Sequence, residues 1–226
     1  MCRGKNTCSE LGIEIERWSR NCPLPYPKWM KNQIDIFIDA VNCFISGNTK
    51  SCLSKLKEIQ GKKITLWFIE HGQISGRHRN IQLKKPQPYP IDKSMRDTER
   101  SPKKLQNSVF ERDGYSCRYC GCKLISQDLI RLFIQKLNSS IFQKGKTNLT
   151  THGIIHISWP VADHVFPWNL GGKTNLSNLV SSCSSCNYGK DSYTIKQLGI
   201  ENPFNRLPSN NKWDGLVSKL EKLKSL

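Results

Sequence analysis

Four cysteines in this chain stand at a spacing that suits a metal ion. Cys117 and Cys120 (CRYC) and Cys183 and Cys186 (CSSC) form two C-x-x-C pairs, and the two thiolates of such a knuckle can bind one ion at about 2.3 Å from each sulfur. Two knuckles complete a tetrahedron, so the pattern predicts a closed, structural Zn²⁺ site that staples distant segments together. Between the pairs stand Asp163 and His164, then Asn178, and directly after the last cysteine Asn187 and Lys190. A histidine with an ordinary pKa of about 6.5 can take a proton from water near neutral pH. A carboxylate and an amide oxygen suit a hard cation such as Mg²⁺ or Mn²⁺ better than zinc. Together these groups have what hydrolysis of a phosphodiester needs, and Lys190 or Arg112 could hold a phosphate as a point charge or a fork.

Taken singly, each residue has an ordinary reading: Asp163-His164 as a hydrogen-bonded surface pair, Asn178 as a turn residue. The joint pattern carries more. The string ADHVFPWNLGGKTNLSNLVSSCSSCNYGK, with ERDGYSCRYCG upstream, closely resembles the HNH nuclease family over about residues 101–191. In that family two strands and a helix, the ββα-metal motif, cradle one divalent ion. Asn178 and Asn187 fall 14 and 23 positions after His164, the offsets of the family's middle and final signature residues. The resemblance implies that His164 is the general base, that Asp163 and Asn187 ligate the catalytic metal, and that Asn178 orients the histidine ring. It also implies 5′-phosphate and 3′-hydroxyl products. Many relatives carry a final His where this chain has Asn187. Gly171-Gly172 would permit the sharp turn between the two strands.

The charge balance points to a polyanionic partner. The chain has 226 residues, with 35 Lys plus Arg against 18 Asp plus Glu, a net charge of +17 and a pI near 9.6, and the excess extends over both halves. DNA is the expected partner. No apolar run is long enough for a membrane span. The charged, polar N-terminus does not read as a secretory signal, so a cytoplasmic protein is expected, in which cysteines serve metals more than disulfides.

The elements that must position these residues are partly readable. Apolar residues at Met30, Ile34, Phe37, Ile38, Val41, Phe44 and Ile45 predict an amphipathic helix within 27–47, and Leu53, Leu56 and Ile59 a second over 49–60. The compact run Ile64 to Ile69 is expected as a strand. Three prolines in residues 84–90 and an unpatterned charged stretch to Arg100 read as a linker or extended strap. Ser101 and Pro102 offer an N-cap and first turn to a short helix ending near Arg112. A helix around 128–142 reads as an insertion within the nuclease region, with His152 and His156 as scaffold. Trp213, Leu216, Val217, Leu220 and Leu223 predict a C-terminal helix packed on the core. Cys122 is expected to stand by as a fifth thiol, and Cys2, Cys8 and Cys22 as thiols without a metal. The cluster His71, Arg77, His78 and Arg79 reads equally as a DNA contact through Arg77 and Arg79 or as a solvated basic turn.

The sequence thus predicts an α+β protein. A mainly helical N-terminal module (1–100) of possible DNA-recognition function precedes a zinc-stapled ββα-metal nuclease domain (101–200) and a C-terminal amphipathic helix (201–226). The expected function is metal-dependent DNA cleavage, in restriction or phage defence, with a homodimer as a route to double-strand cutting. The alternatives are a non-catalytic zinc-containing DNA-binding module, a homing or mobile-element nuclease, and an RNA-directed nuclease with the same site.

Overall fold

A computed structural model describes residues 7–8, 13–14, 22–24, 26–30, 32–72, 89–208 and 212–226. Two short strands, β1 (Thr7–Cys8) and β2 (Ile13–Glu14), pair antiparallel near the start. Three helices follow: α1 (Gln33–Ile45), α2 (Thr49–Glu58) and α3 (Gly61–Trp67). In α1 the buried side chains Ile34, Phe37 and Val41 recur every three or four residues, as one helical face requires. Asn48 caps α2 by accepting the Ser51 amide, which satisfies one of the donors a helix start leaves open.

The run expected as a strand, Ile64 to Ile69, is instead the end of α3, which widens into a π-helical turn over Phe68–Gly72. Periodicity in so short an apolar run cannot separate the two states. Packing decides: Ile64, Trp67 and Phe68 are buried while Leu66 is half exposed, a three-to-four spacing on a helix. His71, part of the basic cluster, is buried here with its Nδ1 3.1 Å from the Trp67 carbonyl oxygen and its ring stacked on Trp67. Arg77, His78 and Arg79 lie outside the described residues.

The stretch 89–100, read as linker or strap, docks on the protein: the Ile91 amide donates to the Asn169 carbonyl, and the Asp97 carboxylate accepts the Thr174 amide. Ser101 then caps a 3₁₀ turn with Pro102 at its first position, leading into α4 (Gln106–Arg112). The inserted helix α5 (Gln127–Leu137) is shorter than expected, because Asn138 adopts a left-handed conformation at φ 45° and ends it. After α6 (Gly153–Ser158), strand β3 (Pro160–His164) pairs antiparallel with β4 (Leu179–Cys183), and α7 (Ser184–Lys190) follows at once. Two short helices, α8 (Ile195–Leu198) and α9 (Leu220–Lys224), complete the described fold.

Two cores hold this together. One joins α1–α3 to the insertion and the C-terminus, through Phe37, Phe133, Phe142, Ile154, Leu216 and Leu223. Phe37 stacks on Phe142 at 4.7 Å and meets Phe133 edge-on at 5.5 Å. The start of α6 presses against the start of α3 so closely that a Cβ on Gly153 would lie 2.4 Å from the Gly61 carbonyl oxygen. The Thr65 hydroxyl bonds the Thr151 carbonyl across the same contact. His152 and His156 are scaffold: the His152 ring caps the Ile154 amide and His156 stacks on Phe68. Burial pushes the His152 pKa down to about 4. The second core surrounds the β3–β4 pair with Val109, Phe110, Tyr119, Leu124, Leu179, Val180 and Tyr193. Since α6 runs straight into β3, the helical layer acts as a buttress for the strand that carries Asp163 and His164.

A buried carboxylate ties the second core to the first cysteine knuckle. Asp113 accepts from Arg112 (Nε and Nη2), Arg118 (Nη1) and the Ser181 amide, all at 2.7–2.9 Å. Replacing Asp113 by Ala removes the partner of two guanidiniums, Arg118 being largely buried itself, and loss of one member of a buried pair costs about 3–5 kcal/mol. The D113A protein is therefore expected to unfold at clearly lower denaturant concentration. An unchanged midpoint would show that water replaces the carboxylate at no cost.

Candidate active site and thiol centre

The hairpin and α7 converge on a cavity of about 490 Å³ lined by Asp163, His164, Asn187, Lys190 and the loop that follows β3. Register places Asp163 opposite Val180 and His164 opposite Leu179. Consecutive strand residues point to opposite faces, and the two side chains find different company. Asp163 turns towards Tyr119, whose hydroxyl donates to Oδ2 at 2.7 Å, and towards Lys190, whose Nζ lies 3.5 Å from Oδ1. His164 turns to the loop, with Nε2 2.8 Å from the Thr174 hydroxyl.

The electrostatics follow from burial. Asp163 is pushed above the usual carboxylate range by desolvation, which the Lys190 charge and the Tyr119 hydrogen bond only partly offset. Tyr119 is raised well above its ordinary pKa by burial and by the Asp163 charge, so it stays protonated and donates. His164 is lowered to about 4, by burial first and then by the charges of Lys190 and Arg100, with Asp97 opposing. Its ring is therefore neutral at physiological pH, the form that can accept a proton.

Asn187 and Lys190, three residues apart on α7, share one face of the helix. The Asn187 side chain makes no hydrogen bond to a described residue, so its amide oxygen is available to the cavity that Asp163 also lines. Lys190 is only 1% exposed, and its ammonium is spent on Asp163 and the Asp191 carbonyl. It offers the cavity a positive charge, yet no open fork for a phosphate.

Asn178 does not touch the histidine ring. Its Oδ1 accepts the Phe166 amide, and its Nδ2 donates to the carbonyls of Phe166 and Lys173. It closes the loop between the strands, the loop presents Thr174, and Thr174 meets His164. The expected orienting contact is thus indirect, because the loop folds over Asn178 before it reaches the ring. Gly172 makes this closure possible: a Cβ there would lie 2.0 Å from the Phe166 carbonyl oxygen, while Gly171 takes φ +99°. Arg112, expected as a phosphate contact, is bound to Asp113 and to the carbonyls of Leu176 and Leu179. It braces the start of β4 instead of facing the cavity.

At the other end of β4 the thiols gather. The sulfurs of Cys117, Cys120, Cys122 and Cys183 all lie within 4.8 Å of one another, with Cys120 and Cys183 3.8 Å apart. The edge of a thiolate tetrahedron with bonds of about 2.3 Å is about 3.8 Å, so the donor set fits a soft tetrahedral ion. Cys186 follows on the next helical turn, its amide capped by the Cys183 sulfur at 3.4 Å and its own thiol directed to the Leu24 carbonyl at 3.9 Å. Three of the four expected cysteines therefore meet, and Cys122, expected to stand by, completes the group in place of Cys186. Burial opposes ionisation of Cys117, but hydrogen bonds from four neighbouring thiols hold it well below the ordinary thiol range.

Sequence reasoning did not single out Tyr119, Thr174, Asp97, Arg96, Arg100 or Trp168. Tyr119 sits inside the first knuckle, where only the fold turns it towards Asp163, and the other five depend on the docking of residues 89–100.

Among the described residues no helix is long and apolar enough to cross a membrane. No curated protein and no solved structure matches the chain. Residues 160–192, from the first residue of β3 to just beyond α7, match the family model described as HNH endonuclease. The two antiparallel strands, the helix after them and the thiol cluster at their base agree with that match, so residues 160–192 are similar to the HNH endonuclease family.

Proposed function

We propose that this chain is a metal-dependent DNA endonuclease that hydrolyses phosphodiester bonds in the cavity between β3 and α7. The observation that carries the reading is the meeting of Asp163, His164 and Asn187 in one cavity, built on the segment that matches the family. In the tautomer in which Nε2 of His164 carries the proton and donates it to the Thr174 hydroxyl, Nδ1 presents the lone pair that accepts a proton from water. The water oxygen bonds to phosphorus as the bond to the 3′ oxygen breaks, and that oxygen leaves as the 3′ hydroxyl after taking up a proton, with the phosphate retained on the 5′ end. Asp163 and Asn187 supply hard oxygens for Mg²⁺ or Mn²⁺, which when bound neutralises charge on the phosphate and the leaving oxygen. Tyr119 holds the Asp163 carboxylate in place, and Lys190 adds positive charge at the floor of the cavity. Zn²⁺ belongs to the thiol centre, where it has a structural role.

Restriction or defence against phage is the setting carried with this proposal, with two copies cutting two strands. One observation favours a second reading, a zinc-containing DNA-binding module without catalysis: the Lys190 ammonium already neutralises Asp163, the carboxylate a divalent ion would need. Incubation of purified protein with plasmid and phage DNA, with and without Mg²⁺ or Mn²⁺, decides between them. Discrete fragments that depend on the added ion support the enzyme, whereas binding without cutting under either ion leaves only the binding module.

A further inference from the structure

Three positively charged side chains line the cavity, and they are held in different ways. Lys190 is buried against Asp163. Arg96 is anchored, with Nε and Nη2 donating to the Ile91 carbonyl at 2.9 and 2.7 Å. Arg100 is exposed and makes no hydrogen bond or ion pair with a described residue. Both arginines nevertheless lie against one indole: their guanidinium carbons are 5.3 and 5.1 Å from the centroid of Trp168. Trp168 is itself fixed, its Nε1 donating to the Asp97 carbonyl at 2.9 Å. The Asp97 carboxylate in turn holds the Thr174 amide, next to the hydroxyl that meets His164. Residues 89–100 are therefore built into the wall of the active site.

We propose that residues 89–100 are a second backbone grip, in which Arg100, braced on Trp168 and backed by Arg96, holds the DNA phosphate adjacent to the one being cut. The inference deepens the nuclease reading and rests on it for the identity of the cavity. Contact with an indole face orients a guanidinium while leaving its N–H groups free to donate. A planar fork held in that way suits the two oxygens of a phosphodiester. The anchored Arg96 adds a second positive charge against the same indole. Arg100 is a positioning residue here, since His164, Asp163 and Asn187 surround the reacting atoms.

The test is DNA binding in a His164→Ala background, so that substrate is not consumed, using fluorescence anisotropy of a labelled duplex over a range of salt concentrations. Arg100→Ala is expected to weaken binding by roughly three- to tenfold and to lower the slope of log affinity against log salt by about 0.9, the loss of one phosphate contact. Arg100→Lys should restore most of the slope and only part of the affinity, because it keeps the charge and loses the fork. An unchanged affinity and slope in Arg100→Ala would overturn the proposal, as would a loss of affinity with the full slope retained, which marks a structural role. So would a parent protein that does not bind DNA. Cleavage by the wild-type chain is scored separately: Arg100-dependent binding without any cutting ends the nuclease reading and leaves the grip in place.

Discussion

Replacing His164 by alanine is expected to slow DNA cleavage by about 10²- to 10⁴-fold, the range that a positioned general base contributes. The ring is neutral at physiological pH because burial and the neighbouring cations oppose its protonation. One of its nitrogens is fixed by Thr174, so in the proposed mechanism the other has a single task. The substitution should leave the fold intact, since the ring is only half-buried and its one described hydrogen bond joins it to a loop that Asn178 closes independently. Thermal denaturation of the variant should therefore match the wild type within about 1 kcal/mol, while single-turnover cleavage collapses. A variant that cuts at the wild-type rate would remove His164 from the mechanism, and one that fails to fold would show that the ring is structural.

The second large effect is expected at the thiol centre. Replacing Cys183 by serine, or stripping the metal with a strong chelator, should abolish the cooperative unfolding of the nuclease core, because a structural zinc site contributes on the order of 10 kcal/mol of folding free energy. Cys183 is the most exacting position, being fully buried, the last residue of β4 and the cap of α7 at once. Its loss frees the helix that carries Asn187 and Lys190, so activity should fall together with structure. Cobalt provides an independent readout: thiolate-to-metal absorption should appear on Co²⁺ loading of the wild type and weaken in the variant. Parallel loading of Cys122→Ser and Cys186→Ser will identify which of these two neighbours completes the tetrahedron. A melting curve indifferent to chelation would exclude a metal staple.

The distribution of legible and illegible features has physical causes. The candidate chemistry-bearing residues were readable because metal and proton-transfer chemistry restricts residue type and spacing: the two C-x-x-C pairs, the Asp163-His164 pair and the placement of Asn187. Helices α1 and α2 were readable because one continuous apolar face repeats over several turns. The state of residues 64–69 was not, since a run of six residues satisfies a strand and a buried helix equally, and contact of α3 with α6 decided it. The partners of Asn178 were illegible for a related reason. Spacing puts it next to the histidine strand, but whether its amide reaches the ring or the loop backbone depends on how residues 166–173 fold over it. Arg112 carries the charge of a DNA contact, and only the position of the buried Asp113 turns it inward.

What the sequence determined by itself is therefore the donor chemistry: which atoms could bind a soft ion, which a hard one, and which could move a proton. Tertiary structure alone decided what surrounds them. It brought Cys122 into the thiol centre, set a buried ammonium against Asp163, and folded a stretch that reads as linker into the wall of the cavity, where Arg96 and Arg100 meet Trp168. Ligand sets are written in residue types at short separations, whereas second partners come from segments tens of residues away, whose approach is fixed by packing of the two cores and leaves no periodic trace in the chain.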